Sequence, residues 1–123
     1  MCEYCKVDEE DHFLTYHIDH FIGIKHGGTN DLENLIWACP YCNQNKGSDL
    51  VTVISSIAEY IPIFNPRKQK WSVHFYAENG EIIPKTLTGE ATIKLLKFNY
   101  PDILIFRQIL FQNGRYFVNS DKI

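Results

Sequence analysis

The chain has 123 residues, 45% of them hydrophobic, with a net charge of −3 and a pI near 5.9. That length predicts a single domain, and the acidic balance excludes a protein that wraps nucleic acid through bulk electrostatics. No apolar run approaches the roughly 18 residues of a membrane helix. The opening Met1-Cys2-Glu3-Tyr4-Cys5 lacks the basic-then-apolar order of a secretory signal, so a cytoplasmic protein with reduced thiols is expected.

Taken in chain order, the first feature is a pair of CxxC turns, Cys2/Cys5 and Cys39/Cys42, with 33 residues between them. Two such pairs suit a tetrahedral structural zinc site, each turn supplying two thiolates. Disulfides do not suit a chain without an export signal. A redox role would explain one pair but not two. The gap exceeds the roughly 15–20 residues of a common zinc ribbon, so the loop between the pairs carries content of its own. The acidic run Asp8 to Asp11 reads as solvated surface.

Within that loop, residues 14–19 are rich in aromatic and β-branched types and predict a strand. Gly23 and the segment Lys25-His26-Gly27-Gly28-Thr29-Asn30-Asp31 predict turns. Asn34 to Ala38 is a second short apolar element. Pro40 near the first helical position and Gly47 just past the end bracket a helix over 40–46.

Four polar residues on this strand–turn–strand–helix frame could build a phosphodiesterase site. Asp19 offers a hard oxygen ligand to Mg²⁺ or Mn²⁺. His20 could take a proton from water near neutral pH. Asn43 offers a neutral oxygen ligand, and Asn34 could tie the loop down through its amide. Taken singly, each would be a residue satisfying local backbone or lying on the surface, as His12, His17, His26 and His74 are expected to be. Their joint occurrence between two zinc half-sites favours chemistry. Adjacent side chains alternate on a strand, so Asp19 and His20 can share a site only if the strand ends or bends there.

Asp19-His20, the stretch Gly27 to Leu35, and the stretch Cys39 to Gly47 together resemble the HNH endonuclease family. The resemblance covers residues 2–47. It implies a ββα-metal finger in which Asp19 and Asn43 hold a catalytic divalent metal, His20 is the general base and Asn34 orders the loop. It also implies that the four cysteines bind structural zinc. Many relatives carry His where this chain has Asn43, making this an HNN variant. Gly23 stands where relatives usually have Pro, and relatives generally carry residues ahead of the first CxxC. Phe64 to Arg67, Trp71 to Phe75 and Thr86 to Thr92 resemble one bacterial branch of the family, in which a basic residue usually occupies the position of Glu90.

For residues 48–63 a helix from Asp49 and a strand near 60–64 compete. Residues 71–77 alternate as a strand, and Asn79-Gly80 predicts a hairpin turn into Ile82-Ile83. Thr88 suits the cap of a helix over 89–98. Pro101 opens a further periodic segment that ends near Asn113-Gly114.

These readings give an α+β single domain over 1–123. Residues 1–47 form the zinc-stapled finger, and residues 48–123 form a small α/β C-terminal extension packed on it. The expected function is a metal-dependent endonuclease acting on nucleic acid, with DNA favoured. Lys46, Arg67 and Arg107 are candidate phosphate contacts. The rival is a non-catalytic zinc module that binds nucleic acid or a protein, in which the cysteines are essential and Asp19, His20 and Asn43 are dispensable.

Overall fold

The computed structural model describes residues 1–54 and 57–116, the side chain of Ile57 excepted. The architecture is mixed α+β, with four α-helices and three two-stranded antiparallel hairpins among the described residues. Among those residues, no helix is long and apolar enough to cross a membrane.

Strand β1 (His17–His20) pairs with β2 (Leu35–Ala38), His17 lying opposite Ala38 and His20 opposite Leu35. The pairing shifts the expected strand toward the C-terminus. Phe13 and Leu14 are exposed and precede β1, because the ladder to β2 begins only at His17. In β2 the alternation is clean: Ile36 and Ala38 are buried, while Leu35 and Trp37 are only partly covered. Helix α1 (Pro40–Lys46) follows as its Pro–Gly brackets predict, and it packs against β1.

Residues 48–63, apart from 55 and 56, resolve in favour of strands. β3 (Val51–Ile54) pairs with β4 (Ile57–Pro62) through a register shift at Val53/Ile54. No helix forms there, since Val51, Thr52, Val53 and Ile54 are all β-branched.

The strand expected over 71–77 is divided. Trp71–His74 makes one helical turn, α2, and only then does β5 (Phe75–Glu78) begin, pairing with β6 (Glu81–Pro84) across the Asn79-Gly80 turn. The helical turn brings Trp71 and Phe75, four residues apart, into the core with ring centroids 4.9 Å from each other. Gly80 sits at φ +87°, and a Cβ there would meet the Gln108 nitrogen at 2.7 Å.

Helix α3 (Leu87–Leu96) starts two residues earlier than expected. Its cap is Thr86, whose hydroxyl accepts from the Gly89 N–H at 3.0 Å; the Thr88 carbonyl instead accepts from the Thr92 hydroxyl. Helix α4 (Pro101–Gln112) begins on proline and stops before Gly114, which is at φ +70°.

One continuous hydrophobic cluster runs from Cys2, Tyr4, Tyr16 and Ile36 in the finger to Phe64, Trp71, Phe75, Ile82, Leu96 and Phe98 in the extension. Polar ties reinforce it. The Trp71 indole donates to the Tyr4 carbonyl at 2.7 Å, the Tyr116 hydroxyl to the Cys5 carbonyl at 2.6 Å, and the Tyr41 hydroxyl to the Lys97 carbonyl at 2.6 Å.

Candidate metal centres and active site

The thiol sulfurs of Cys2, Cys5, Cys39 and Cys42 all lie within 4.8 Å of one another, and all four residues are buried. Zn–S bonds of about 2.3 Å in a tetrahedron place neighbouring sulfurs about 3.8 Å apart. The Cys5 and Cys39 sulfurs are 3.8 Å apart. The first turn closes through the Lys6 N–H to the Cys2 carbonyl at 2.9 Å, with Lys6 at φ +67°. The second is the start of α1, where the Cys42 N–H donates to the Cys39 sulfur at 3.3 Å. Burial pushes the Cys42 thiol up. Four buried thiols so grouped are chemically suited to a divalent cation that would take the place of their protons, and the grouping suggests zinc.

Asp19 lies in β1, opposite Ile36. Its Oδ2 is buried without a hydrogen-bond partner among the described residues. So is the hydroxyl of Tyr4, whose phenol is held far above its usual range by burial and then by the Asp19 carboxylate. An orphaned carboxylate oxygen is costly unless a cation completes it, and an oxygen donor is what Mg²⁺ and Mn²⁺ require. Asn43 lies three residues before Lys46 on α1, so the two share a helix face. Lys46 is close enough to Asp19 for the carboxylate to oppose the lowering of its pKa that desolvation causes. The Asn43 amide makes no described hydrogen bond. The donor set of Asp19 and Asn43 fits a hard divalent metal.

His20 ends β1, where the strand stops. Its Nε2 lies 2.7 Å from the Asn30 Oδ1. Sequence reasoning misses Asn30, which reads there as one polar residue in a turn-rich loop.

Asn34 is buried and braces that loop. Its Oδ1 accepts from the Ile22 N–H at 2.8 Å, and its Nδ2 donates to the carbonyls of Ile22 at 3.0 Å and Thr29 at 2.8 Å. The loop passes so close that a Cβ on Gly28 would lie 1.7 Å from the Ile22 carbonyl oxygen.

The three candidate phosphate contacts are engaged by other groups of the protein. Lys46 is fully buried, and its ammonium donates to the Phe21 carbonyl at 2.7 Å beneath the Phe21 ring, clamping α1 to the chain after β1. Arg107 is fully buried in the extension, donating to the Gly80 carbonyl at 2.7 Å and to Asn99 Oδ1 at 2.8 Å. Neither can reach a phosphate from inside a core. Arg67 forms a two-pronged ion pair with Glu3 and donates from Nε to the Leu35 carbonyl at 2.9 Å, so its guanidinium joins the extension to the zinc turn. The exposed Lys68 instead lines a cleft with Gly27, Gly28, Thr29 and Asn34. Its ammonium is thereby carried on the side of the extension that faces the loop.

Residues 2–49 match the family model described as HNH endonuclease. No curated protein and no solved structure matches the chain. The matched segment, residues 2–49, holds the four-cysteine cluster and the ββα element order, and its likeness to the HNH endonuclease family supports a nuclease-type module there.

Proposed function

We propose that this protein is a metal-dependent endonuclease that hydrolyses nucleic-acid phosphodiester bonds, DNA being the favoured substrate, with His20 as general base. The observation that carries this reading is the unpartnered buried Oδ2 of Asp19, next to a strand end that presents an imidazole. Asp19 and Asn43 would hold a Mg²⁺ or Mn²⁺ ion, which when bound supplies Lewis acidity to the scissile phosphate and to the departing 3′ oxygen. His20 accepts the proton of a water aligned opposite that oxygen, so that the water's O–P bond forms as the P–O3′ bond breaks. Asn34 keeps the loop beside His20 in one conformation. Lys68 is the cation suited to a neighbouring backbone phosphate. The zinc cluster is structural.

The test is nicking of supercoiled plasmid by the zinc-loaded chain with and without added Mg²⁺ or Mn²⁺. The wild type is expected to nick only with added metal. His20→Ala should be about 10²- to 10⁴-fold slower, and Asp19→Ala should lose the metal response. A folded, zinc-loaded wild type that leaves DNA and RNA intact with either metal overturns the enzyme in favour of a zinc binding module. Equal rates for His20→Ala and wild type overturn the assignment of the base.

A second test concerns Lys68. Lys68→Ala should raise KM with little change in kcat. It should also flatten the dependence of log KM on log salt by about one unit, as loss of one phosphate contact does.

A further inference from the structure

The general-base reading requires one ring nitrogen of His20 to be free of protons and aimed at water, and two neutral tautomers compete for that state. The Asn30 Oδ1 lies 2.7 Å from Nε2. A carbonyl oxygen only accepts. The Nδ1–H tautomer would therefore set two lone pairs against each other at that distance, whereas the Nε2–H tautomer makes a hydrogen bond.

Asn30 is itself held from both sides. The Thr29 carbonyl before it accepts from Asn34 at 2.8 Å, and the Asp31 N–H after it donates to the Thr29 hydroxyl at 3.2 Å. Gly28 donates its N–H to the Gly23 carbonyl at 3.1 Å. The Asn30 side chain is exposed, and His20 is its only described hydrogen-bond partner.

We propose that Asn30 is the positioning residue of the active site: through its hydrogen bond to Nε2 it selects the Nε2–H tautomer of His20 and leaves Nδ1 as the atom that takes the water's proton. The inference rests on the reading of His20 as general base. The proton balance is simple. Nε2 keeps its hydrogen throughout, Nδ1 gains one from water, and the imidazolium so formed still donates to Asn30 from Nε2. A neutral amide does here what a carboxylate does in other histidine-based sites, fixing ring plane and tautomer without adding a charge beside the phosphate.

The experiment uses the full zinc-loaded chain, with the His20 ring signals assigned by their loss in His20→Gln. Nitrogen-15 spectra are recorded at alkaline pH, where the ring is neutral. The wild type is expected to carry its proton on Nε2 alone, with an observable Hε2 resonance. Asn30→Ala should keep wild-type circular dichroism and zinc content. It should show a mixture of tautomers, lose the Hε2 resonance, and lower kcat about 10- to 100-fold with KM unchanged. Asn30→Asp, which retains an acceptor oxygen at the same reach, should restore the Nε2–H tautomer and most of kcat.

A wild-type ring protonated on Nδ1 overturns the proposal. So does an Asn30→Ala variant whose ring signals or kcat stay at wild-type values. A wild type that cleaves no nucleic acid fails at the nuclease reading instead. In that case the ring spectra still report separately whether Asn30 sets the tautomer.

Discussion

The two glycines of the His20 loop differ in what they tolerate. Gly23 sits at φ −61° and ψ 152°, a conformation open to any residue and the φ that proline prefers. Its N–H makes no described hydrogen bond, and a Cβ there would meet only the Ser48 Cβ at 3.7 Å, an ordinary contact. The glycine found where relatives carry proline therefore leaves the native turn intact and only adds freedom to the unfolded chain. Gly23→Pro should stabilise by about 0.4–1 kcal/mol, read as an upward shift of the urea midpoint without a change in m. Gly28 has no such latitude. Gly28→Ala would drive a methyl into the Ile22 carbonyl and against the Asn34 amide. It should cost more than about 2 kcal/mol, since the backbone must move and the Asn34 bonds to Ile22 and Thr29 break with it. A Gly28→Ala variant as stable as wild type would show that the loop does not pass this close.

Helix α3 shows how one hydroxyl sets an element boundary. Thr86 Oγ1 accepts from Gly89 N–H at 3.0 Å and lies 2.7 Å from His74 Nδ1, so the cap of α3 also fixes the end of α2. Thr88, the cap expected from sequence, sits inside the helix. Both threonines precede an apolar helical pattern, and the choice between them comes from the approach of His74, a contact between elements. Gly89 is then forced by packing, because a Cβ there would lie 2.3 Å from the His74 carbonyl oxygen. Thr86→Ala should destabilise by about 1 kcal/mol, the ordinary worth of such a cap. Thr88→Ser, which keeps the buried Thr92 tie to the backbone carbonyl, should be near neutral in the same denaturation measurement.

The four buried cysteines of the finger are grouped as a metal site, and a zinc ion there would be expected to carry much of the fold's stability. Structural zinc contributes roughly 10–16 kcal/mol in small fingers, comparable with the roughly 5–15 kcal/mol total stability of a domain. The cysteine cluster and the extension share one hydrophobic core, joined through Trp71 to Tyr4, Tyr116 to Cys5 and Arg67 to Glu3. Removing zinc with a chelator, or by Cys39→Ser, should therefore unfold finger and extension together. Far-UV circular dichroism and tryptophan fluorescence should collapse in one transition. Retained extension structure in the zinc-free chain would show instead that the two parts are separate folding units.

The zinc ligands, helix α1, the Asn79-Gly80 turn and the start of α4 can all be read from the residues alone. Each rests on short-range chemistry: thiolate spacing, a proline that fits a first helical position, a dipeptide that accepts positive φ. Asp19, His20, Asn34 and Asn43 stand in a distinctive order along the chain, and that order is what nominates them for the roles proposed above. The sequence could not show that Lys46 and Arg107 are buried or that Arg67 is tied to Glu3 on the surface, since a basic side chain reads as free until a carbonyl or carboxylate from a distant segment is found to meet it. Lys46 meets Phe21, Arg107 meets Gly80, and Arg67 meets Glu3 from 64 residues away. Asn30 is hidden for the same reason. Its only distinguishing property is a 2.7 Å approach to His20, and that distance exists only once the β1–β2 hairpin has closed.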